Sequence, residues 1–280
     1  MAPIETVKID FIYDISSPNS YIVFVTLLRY RKAWNLDINL RPVSLDGITA
    51  ITGPGAANPV PIKKAYIDRD FGRMAERWGL DIRLPPGRPS PASLLKLVHF
   101  LRALKDVESP DVLTQCTVLF FEEYYSTHTS PVAPAFYDCV IKGHPASRGQ
   151  GPLSESRFKE IWALAASAEI EERVQKDVKE VVSKFKTFSC PWIVAYKVPL
   201  DDRPLSREEK LKNPIERTDY QSFFGPDRMD TLAYYLGPEY EWKGPFPDGR
   251  ERFLPRALGL PGLPVEFNPE ALNSDLKAML

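Results

Sequence analysis

Residues 13–21 read Tyr-Asp-Ile-Ser-Ser-Pro-Asn-Ser-Tyr, and they mark the point where a strand ends and a helix begins. Apolar residues alternate with polar ones over 7–13 and recur at helical spacing over 21–28, which predicts the two elements. Ser17 suits a helix cap, and Pro18 suits the first helical position because its missing N–H would have no partner there. The Ser17 hydroxyl would then lie beside backbone N–H groups that favour a bound anion. A plain helix cap is the alternative, and this stretch taken alone favours it.

The composition is that of an ordinary globular protein. The 280 residues are 44% hydrophobic and 26% charged, enough for one large domain or two smaller ones with a real core. A net charge of −1 without a basic tract argues against a nucleic-acid-binding protein. No apolar run reaches the length of about 18 residues that predicts a membrane span, and we expect no leader peptide because the chain enters a strand almost at once.

The cysteines predict reduced thiols rather than a disulfide framework. Cys116, Cys139 and Cys190 are odd in number, far apart and outside any Cys-x-x-Cys motif, which is typical of an intracellular protein. The three histidines show no ligand spacing with these cysteines. We therefore expect no metal site.

The first third of the chain reads as a βαβ unit followed by a loop and a helix. Alternation over 36–42 predicts a second strand, which we expect to lie parallel to the first. Glycine and proline crowd residues 47–62, which predicts a loop, although the motif of a phosphate-binding loop is missing. Apolar residues at helical spacing over 63–78 predict a helix that ends at Gly79.

The remainder alternates between a helical block and a short return to strands. Helical spacing dominates from Ser90 to about residue 186, apart from an irregular stretch over 130–153. Strand patterns return at 191–196 and 220–224, and the polar segment between them is expected to be a surface excursion. A closing helix is predicted over residues 227–236.

This order of elements predicts an α/β chain, namely a thioredoxin-like fold with a large all-helical insertion. The thioredoxin-like domain would comprise residues 1–80 and 187–236, with the helical insertion subdomain at 81–186. Residues 237–280 form a C-terminal extension rich in proline and aromatic residues, with too little periodicity for a domain. We expect the extension to wrap over the body or over a partner subunit.

Three separated motifs make the chain resemble the kappa-class glutathione transferases. They are Phe-Ile-Tyr-Asp-Ile-Ser-Ser-Pro-Asn-Ser-Tyr at 11–21, Trp-Asn at 34–35 followed by Leu-Arg-Pro at 40–42, and Phe-Gly-Pro-Asp-Arg-Met at 224–229. Their order and spacing match over roughly residues 5–236. That family shares its fold with bacterial disulfide oxidases and 2-hydroxychromene-2-carboxylate isomerases.

The resemblance implies glutathione chemistry without a redox cysteine pair. In the redox members of this fold the first helix begins with Cys-x-x-Cys, whereas this chain has Ser17 and Ser20 at those positions. A hydroxyl cannot exchange disulfides, but it can donate a hydrogen bond to a bound thiolate. The resemblance therefore implies that Ser17 is the catalytic residue, that glutathione is the cofactor or co-substrate, and that an electrophilic small molecule is the second substrate.

The resemblance also implies a set of glutathione-binding residues. Cys190 precedes Pro191, which would be a cis proline that leaves the backbone of Cys190 available to the cysteinyl unit of the ligand. The Cys190 thiol is interpreted either as a packed side chain or as a partner in a mixed disulfide. Asp227 and Arg228 lie in the motif that resembles the family's γ-glutamyl anchor, and a first-turn acid favoured by the helix dipole is the alternative for Asp227.

Several positions depart from the family's pattern. Pro226 stands where the family usually has serine, which removes a hydroxyl and an N–H from the anchor. Asn58 and Lys63 lie in the region that usually holds the glycyl end, although the surrounding sequence is altered. Asn19 and Tyr21 would line the pocket of the second substrate, with Asn19 in place of a common aromatic residue.

Two other functions fit the same residues. A glutathione-dependent isomerase of the 2-hydroxychromene-2-carboxylate type would use the same thiolate, and a binding protein on an altered transferase fold would explain Pro226. The resemblance implies a homodimer. The cytosol is the default compartment, with the mitochondrion and the peroxisome as alternatives because family members occur there.

Overall fold

The computed structural model describes residues 6–53, 61–80, 82–84, 87, 89–127, 129–143, 150–196 and 220–249, with the backbone alone for 61–64. The segment expected to be a surface excursion and residues 250–280 of the extension lie outside this range. Within the described residues, no helix combines the length and the apolar character needed to cross a membrane.

The first three elements form the predicted βαβ unit. Strands β1 (Val7–Tyr13) and β2 (Leu36–Pro42) are parallel neighbours. Helix α1 (Pro18–Tyr30) connects them and is buried along most of its length. Because β1 ends where α1 begins, the N-terminus of α1 lies at the carboxyl end of β1.

The sheet has four strands in the described part of the chain, in the order β2-β1-β3-β4. Strand β3 (Trp192–Tyr196) is antiparallel to β1, and β4 (Tyr220–Phe224) is antiparallel to β3. This mixed sheet confirms the predicted thioredoxin-like fold with many helices.

The other helices lie between β2 and β3 and after β4. In chain order they are α2 (Leu45–Thr52), α3 (Pro61–Trp78), α4 (Pro91–Val107), α5 (Pro110–Tyr125), α6 (Ala135–Lys142), α7 (Glu155–Ala165), α8 (Ala168–Phe185) and α9 (Met229–Leu236). A short 3₁₀ turn, Pro226–Arg228, joins β4 to α9.

The prediction of a loop over 47–62 is wrong in its first part, because α2 occupies residues 45–52. The Ser44 hydroxyl caps α2 by accepting the Gly47 N–H at 3.0 Å. A Cβ on Gly47 would lie 3.3 Å from a methyl group of Val178 in α8, so glycine here permits close helix packing rather than a turn. The stretch predicted to be irregular, 130–153, likewise contains α6.

Helices cover the sheet on both faces. The larger cluster joins β1 and α1 to α4 and α5 through aromatic contacts such as Tyr21 on Phe121, whose ring centroids are 4.9 Å apart. The second cluster joins β1 and β3 to α2 and α8, and its buried members are Ile12, Val43, Ile48, Val178, Val181, Phe185, Cys190, Trp192 and Val194. The junction between β1 and α1 is therefore held from both sides of the sheet.

The described part of the C-terminal extension packs on the end of α1. The Tyr30 hydroxyl accepts the Lys243 N–H at 3.0 Å and donates to the Gly244 carbonyl at 2.9 Å. The Arg29 guanidinium donates to a further carbonyl of the same segment at 3.3 Å. Residues 237–249 thus lie over the body of their own chain.

The Tyr30 hydroxyl contributes to stability through these two bonds. Tyr30→Phe leaves the buried Gly244 carbonyl and the partly buried Lys243 N–H without their partner, so we expect the free energy of unfolding to fall by about 1–3 kcal/mol. Urea denaturation measures the loss. Tyr234→Phe is the matched control, because Tyr234 is 88% exposed, and it should leave the midpoint unchanged. Equal midpoints for both variants would contradict this account of the extension.

A polar network lies at the β2 edge of the sheet. The Lys105 ammonium donates to the Asn39 side chain at 2.7 Å and to the Leu40 carbonyl at 2.6 Å. Burial lowers the pKa of Lys105 to about 8, and the nearby positive charges of Arg41 and Arg102 act in the same direction. The desolvation cost of this buried charge outweighs its two hydrogen bonds.

The lowered pKa of Lys105 predicts a pH dependence of stability. Unfolded lysine titrates near 10.4, so between about pH 8 and 10.4 the unfolded chain binds more protons and stability contributed by this group rises with pH. In this window the free energy of unfolding of the wild type, measured relative to that of Lys105→Met, should increase by up to about 1.4 kcal/mol per pH unit. Urea unfolding at several pH values tests this, with the exposed Lys96→Met as the control. A constant difference between wild type and Lys105→Met would contradict it.

Candidate active site

The Ser17 hydroxyl connects the N-terminus of α1 to the loop before β3. As the helix cap it accepts the Ser20 N–H at 3.2 Å, and it donates its own proton to the Cys190 carbonyl at 3.1 Å. The residue is only 6% exposed. The hydroxyl proton is therefore directed into the junction between two elements, where a stronger acceptor would compete for it.

Two other Ser-Pro pairs in this chain begin helices in the same way. Ser90 caps α4 and Ser109 caps α5, each by accepting a backbone N–H from its own first turn, and both serines are exposed. Ser17 differs from them in its burial and in its bond to Cys190. A plain helix cap thus explains only one of the two hydrogen bonds that Ser17 makes.

The loop that faces Ser17 contains a cis peptide bond between Cys190 and Pro191, as the resemblance implied. The Pro191 carbonyl accepts the Gly225 N–H at 3.4 Å, which ties this loop to the end of β4. Among the described residues, no hydrogen bond engages the Cys190 N–H. A backbone donor is therefore available next to the carbonyl that Ser17 contacts.

The Cys190 thiol packs in the second apolar cluster beside residues such as Ile12 and Trp192. Burial raises the pKa of this thiol well above its usual value, and the negative charge of Asp14 adds to the shift. A thiol in this state is a poor nucleophile at neutral pH. This environment favours the packed side chain over the mixed disulfide.

Asp14 is a structural residue of the site that the sequence analysis missed. One carboxylate oxygen accepts the Ser16 N–H and the Ser16 hydroxyl, both at 2.8 Å, and the other accepts the Leu45 N–H at 2.8 Å. The buried carboxylate thereby joins the end of β1 to the start of α2. An aspartate two residues before a serine at a strand end is typical of an Asx turn, and that signal was present in the sequence.

Asp227 and Arg228 lie in the 3₁₀ turn after β4. Their side chains form an ion pair at 2.6 Å, and both are exposed. Gly225 has φ +89°, and a Cβ there would lie 2.9 Å from a carboxylate oxygen of Asp227. The positive φ is what favours glycine at this position, because the Asp227 carboxylate is exposed and could shift away from an added Cβ.

The two residues expected in the second-substrate pocket have different settings. The side-chain oxygen of Asn19 is buried and has no hydrogen-bond partner within the described ranges. Tyr21 is only 2% exposed and stacks on Phe121 in the core. Its ring supports α1 from within, so we do not retain Tyr21 in the proposed pocket.

The expected glycyl-binding residues are not placed relative to Ser17. Asn58 lies outside the described residues, and Lys63 is described by its backbone alone, in the first turn of α3. The structure thus brings together Ser17, Cys190 and Pro191, and through Gly225 it connects them to the turn that contains Asp227.

Comparisons with known proteins bear on the fold and on the relatives of this chain. The family model of the DSBA-like thioredoxin domain matches residues 8–140. Glutathione S-transferase kappa 1 of Homo sapiens is 24% identical over 244 residues, which is 85% of this chain and 94% of that protein. Glutathione S-transferase kappa 2 of Caenorhabditis elegans is 35% identical over 78 residues, 28% of this chain and 35% of that protein.

A solved structure of 2-hydroxychromene-2-carboxylate isomerase superposes with a TM-score of 0.57 at 16% identity, covering 82% of this chain and 94% of its own. At this identity the likeness concerns the fold. The chain therefore has the DsbA-like thioredoxin fold and is a relative of the kappa-class glutathione transferases over most of its length.

Proposed function

We propose that this chain is a glutathione transferase in which the Ser17 hydroxyl stabilises the glutathione thiolate for attack on an electrophilic small molecule. The observation that carries the proposal is the buried Ser17 hydroxyl, which donates at 3.1 Å into the junction with the Cys190 loop. The curated relatives, named as kappa glutathione S-transferases, support the same chemistry.

Thiolate stabilisation is within the reach of this junction. A free thiol titrates near 8.5, and lowering that pKa by about two units requires about 2.7 kcal/mol of preferential stabilisation of the thiolate. A hydrogen bond to a charged group contributes about 1.5–3 kcal/mol, and the N-terminus of a helix adds about 0.3–1 kcal/mol. Because an anion is a stronger acceptor than a carbonyl, the Ser17 proton turns from Cys190 to the bound sulfur.

The peptide backbone of glutathione would pair with the loop before β3. The Cys190 N–H is a donor that no described residue uses, and it adjoins the carbonyl contacted by Ser17. A cysteinyl unit held by this donor has its sulfur within reach of the Ser17 hydroxyl. The same contact thus positions the ligand and brings its thiol to the helix N-terminus.

The γ-glutamyl end of glutathione carries both an ammonium and a carboxylate, and the Asp227–Arg228 pair offers one opposite charge to each. An exposed ion pair contributes at most about 1 kcal/mol, so opening it to admit the ligand costs little. In this arrangement Asp227 binds the ammonium and Arg228 binds the carboxylate. The pair therefore compensates for the donor that is lost at Pro226.

The transfer step needs no further cofactor. The thiol proton leaves to solvent, and the thiolate sulfur forms a bond to the electrophilic carbon. The displaced electron pair departs with a leaving group in a substitution, or moves along a double bond of the substrate in an addition. In an isomerisation the sulfur would add to the substrate and later be eliminated, which regenerates glutathione. Product analysis separates the two reactions, because only transfer leaves a conjugate.

Removing the Ser17 hydroxyl should raise the pKa of the bound thiol. For Ser17→Ala we expect an increase of about two pH units and a decrease of kcat/KM at neutral pH of about 10–100-fold. Calorimetric titration of glutathione with thiolate absorbance against pH measures the first effect. Ser109→Ala removes an equivalent Ser-Pro cap and should change neither quantity. An unchanged thiol pKa in Ser17→Ala would contradict the role of Ser17, and a wild type that does not bind glutathione would favour the binding-protein alternative.

Neutralising Asp227 should weaken glutathione binding. Asp227→Asn preserves the size of the side chain but removes the charge opposite the ammonium, so we expect Kd to rise about tenfold. Asp230→Asn, an exposed acid in the first turn of α9, is the matched control and should leave Kd unchanged. If both variants lose stability but retain the wild-type Kd, Asp227 is only a first-turn acid.

A further inference from the structure

A small cleft at the β2 edge of the sheet contains the polar network of Lys105 and no residue that the proposed thiolate chemistry uses. We call it the β2 cleft. It lies between β2, α4 and α8 and has a volume of about 190 Å³. The charged and polar residues that line it are Asn39, Arg41, Arg102, Lys105, Asp177 and Glu180. Because pockets for drug-sized ligands measure about 300–1,000 Å³, this cleft admits only a small chemical group.

The two arginines of the cleft engage the carboxylates around it. Each arginine forms two ion pairs, and these join Arg41 to Asp10 at 3.2 Å and to Glu180 at 3.1 Å, and Arg102 to Asp106 and, at 2.6 Å, to Asp177. Among the described residues, no carboxylate forms an ion pair with the Lys105 ammonium, whose hydrogen bonds go to neutral oxygens of Asn39 and Leu40. Lys105 is thus a cation in the cleft without a counter-charge in contact.

The two hydrogen bonds of Lys105 suit an uncharged amine as well as an ammonium. A neutral amine has two N–H groups, which satisfy the acceptors at 2.7 and 2.6 Å, and a lone pair that remains available. Burial and the charges of Arg41 and Arg102 disfavour the ammonium and lower the pKa of Lys105 to about 8. At pH 7 about one chain in ten therefore carries a nucleophilic amine here, compared with fewer than about one in a thousand at an unperturbed lysine.

We propose that Lys105 is an acylation site, at which the amine in the β2 cleft takes a short, uncharged acyl group from a thioester. The lone pair of Nζ forms a bond to the carbonyl carbon, the carbon–sulfur bond breaks, and the sulfur leaves as a thiolate with the bonding electron pair. The nitrogen releases one proton to solvent, and no oxidant or reductant takes part. The guanidinium groups of Arg41 and Arg102 line the same cleft, so they oppose the negative charge that develops on the carbonyl oxygen.

The acylated side chain suits the cleft better than the ammonium. Acylation removes the positive charge of Lys105 and with it the desolvation cost of that charge. The amide keeps one N–H, which can remain on the Leu40 carbonyl, because the exposed Asn39 side chain can turn to water.

The charges that line the cleft determine the kind of acyl group. Once Lys105 is neutral, the two arginines of the lining balance Asp177 and Glu180. A charged acyl chain would disturb this balance, and a long one would exceed the volume of the cleft. The expected group is therefore short and uncharged, such as acetyl.

The test exposes the full chain near neutral pH to a neutral thioester, S-acetyl-N-acetylcysteamine, and follows acetylation of each lysine by peptide mass spectrometry. Lys96 is the matched control, because it is an exposed lysine of the same helix. We expect the initial rate at Lys105 to be about tenfold higher than at Lys96, since its larger neutral fraction outweighs the weaker nucleophilicity of a less basic group. A rate at Lys105 equal to or below that at Lys96 overturns the inference.

The pH profile of the same reaction gives a second readout. The rate at Lys105 should level off above about pH 8, whereas the rate at Lys96 should rise until about pH 10. Burial raises the pKa of Tyr196, so its phenol stays neutral over this range. The other charged groups around Lys105 are Asp10 of β1, Arg41 of β2, Arg102 and Asp106 of α4, and Asp177 and Glu180 of α8. Parallel profiles for the two lysines would contradict the proposal.

Asn39→Asp supplies the counter-charge that Lys105 lacks. Asn39 is exposed and the replacement is nearly isosteric, so the variant should fold, which its circular dichroism checks. A carboxylate at hydrogen-bond distance favours the ammonium, so we expect the acetylation rate at Lys105 to fall about tenfold while that at Lys96 stays unchanged. Asp37→Asn, at an exposed acid of the same strand, is the control for a change of charge and should preserve the wild-type rate. Undiminished acetylation of Lys105 in folded Asn39→Asp overturns the inference. Since glutathione takes no part in these measurements, the inference and the proposed function fail separately.

Discussion

The hydrogen bond from the Ser17 hydroxyl to the Cys190 carbonyl is the interaction on which the proposed chemistry depends, since it joins two elements that are 173 residues apart in the chain. It holds the N-terminus of α1 against the loop that opens β3. The same proton is the one that a thiolate would take over. The Ser17 hydroxyl thus stabilises the junction when it donates to Cys190, and in the proposed reaction it donates to the bound thiolate instead.

This junction is stiff because several independent contacts hold its surroundings. The buried carboxylate of Asp14 binds backbone N–H groups of both the β1–α1 turn and α2. Gly47 lets α2 approach α8, which covers the same face of the sheet as Cys190. At the opposite end of α1, the Tyr30 hydroxyl bonds to the C-terminal extension. Because α1 is held at both ends, the Ser17 hydroxyl is already in position when the ligand binds. Electrostatic stabilisation is most effective when the donor is positioned in advance in this way.

Local rules predicted some of these features and misread others. Periodicity identified β1, α1, β2, β3 and β4 because each has an uninterrupted apolar pattern. Glycine and proline near residue 50 indicated a loop, whereas Gly47 lies inside a helix because of its tertiary neighbour. Tyr21 looked like a pocket residue beside Ser17, but one helical turn rotates its ring into the core. The local Asx turn of Asp14 had a signal in the sequence, whereas its bond to the start of α2 joins residues 31 positions apart and could not be predicted from a local pattern.

The sequence alone determined the order of the elements, the Ser-Pro start of α1 and the absence of a cysteine pair at that position, since these depend on local patterns and residue identity. It also contained three equivalent Ser-Pro helix caps. Only the tertiary structure decided that Ser17 is the buried one, with a bond to a residue distant in the chain, and that the rings of Phe188 and Phe224 lie in contact. Those features depend on contacts between residues far apart in the chain, and pairings of that kind are set by the packing of the whole fold.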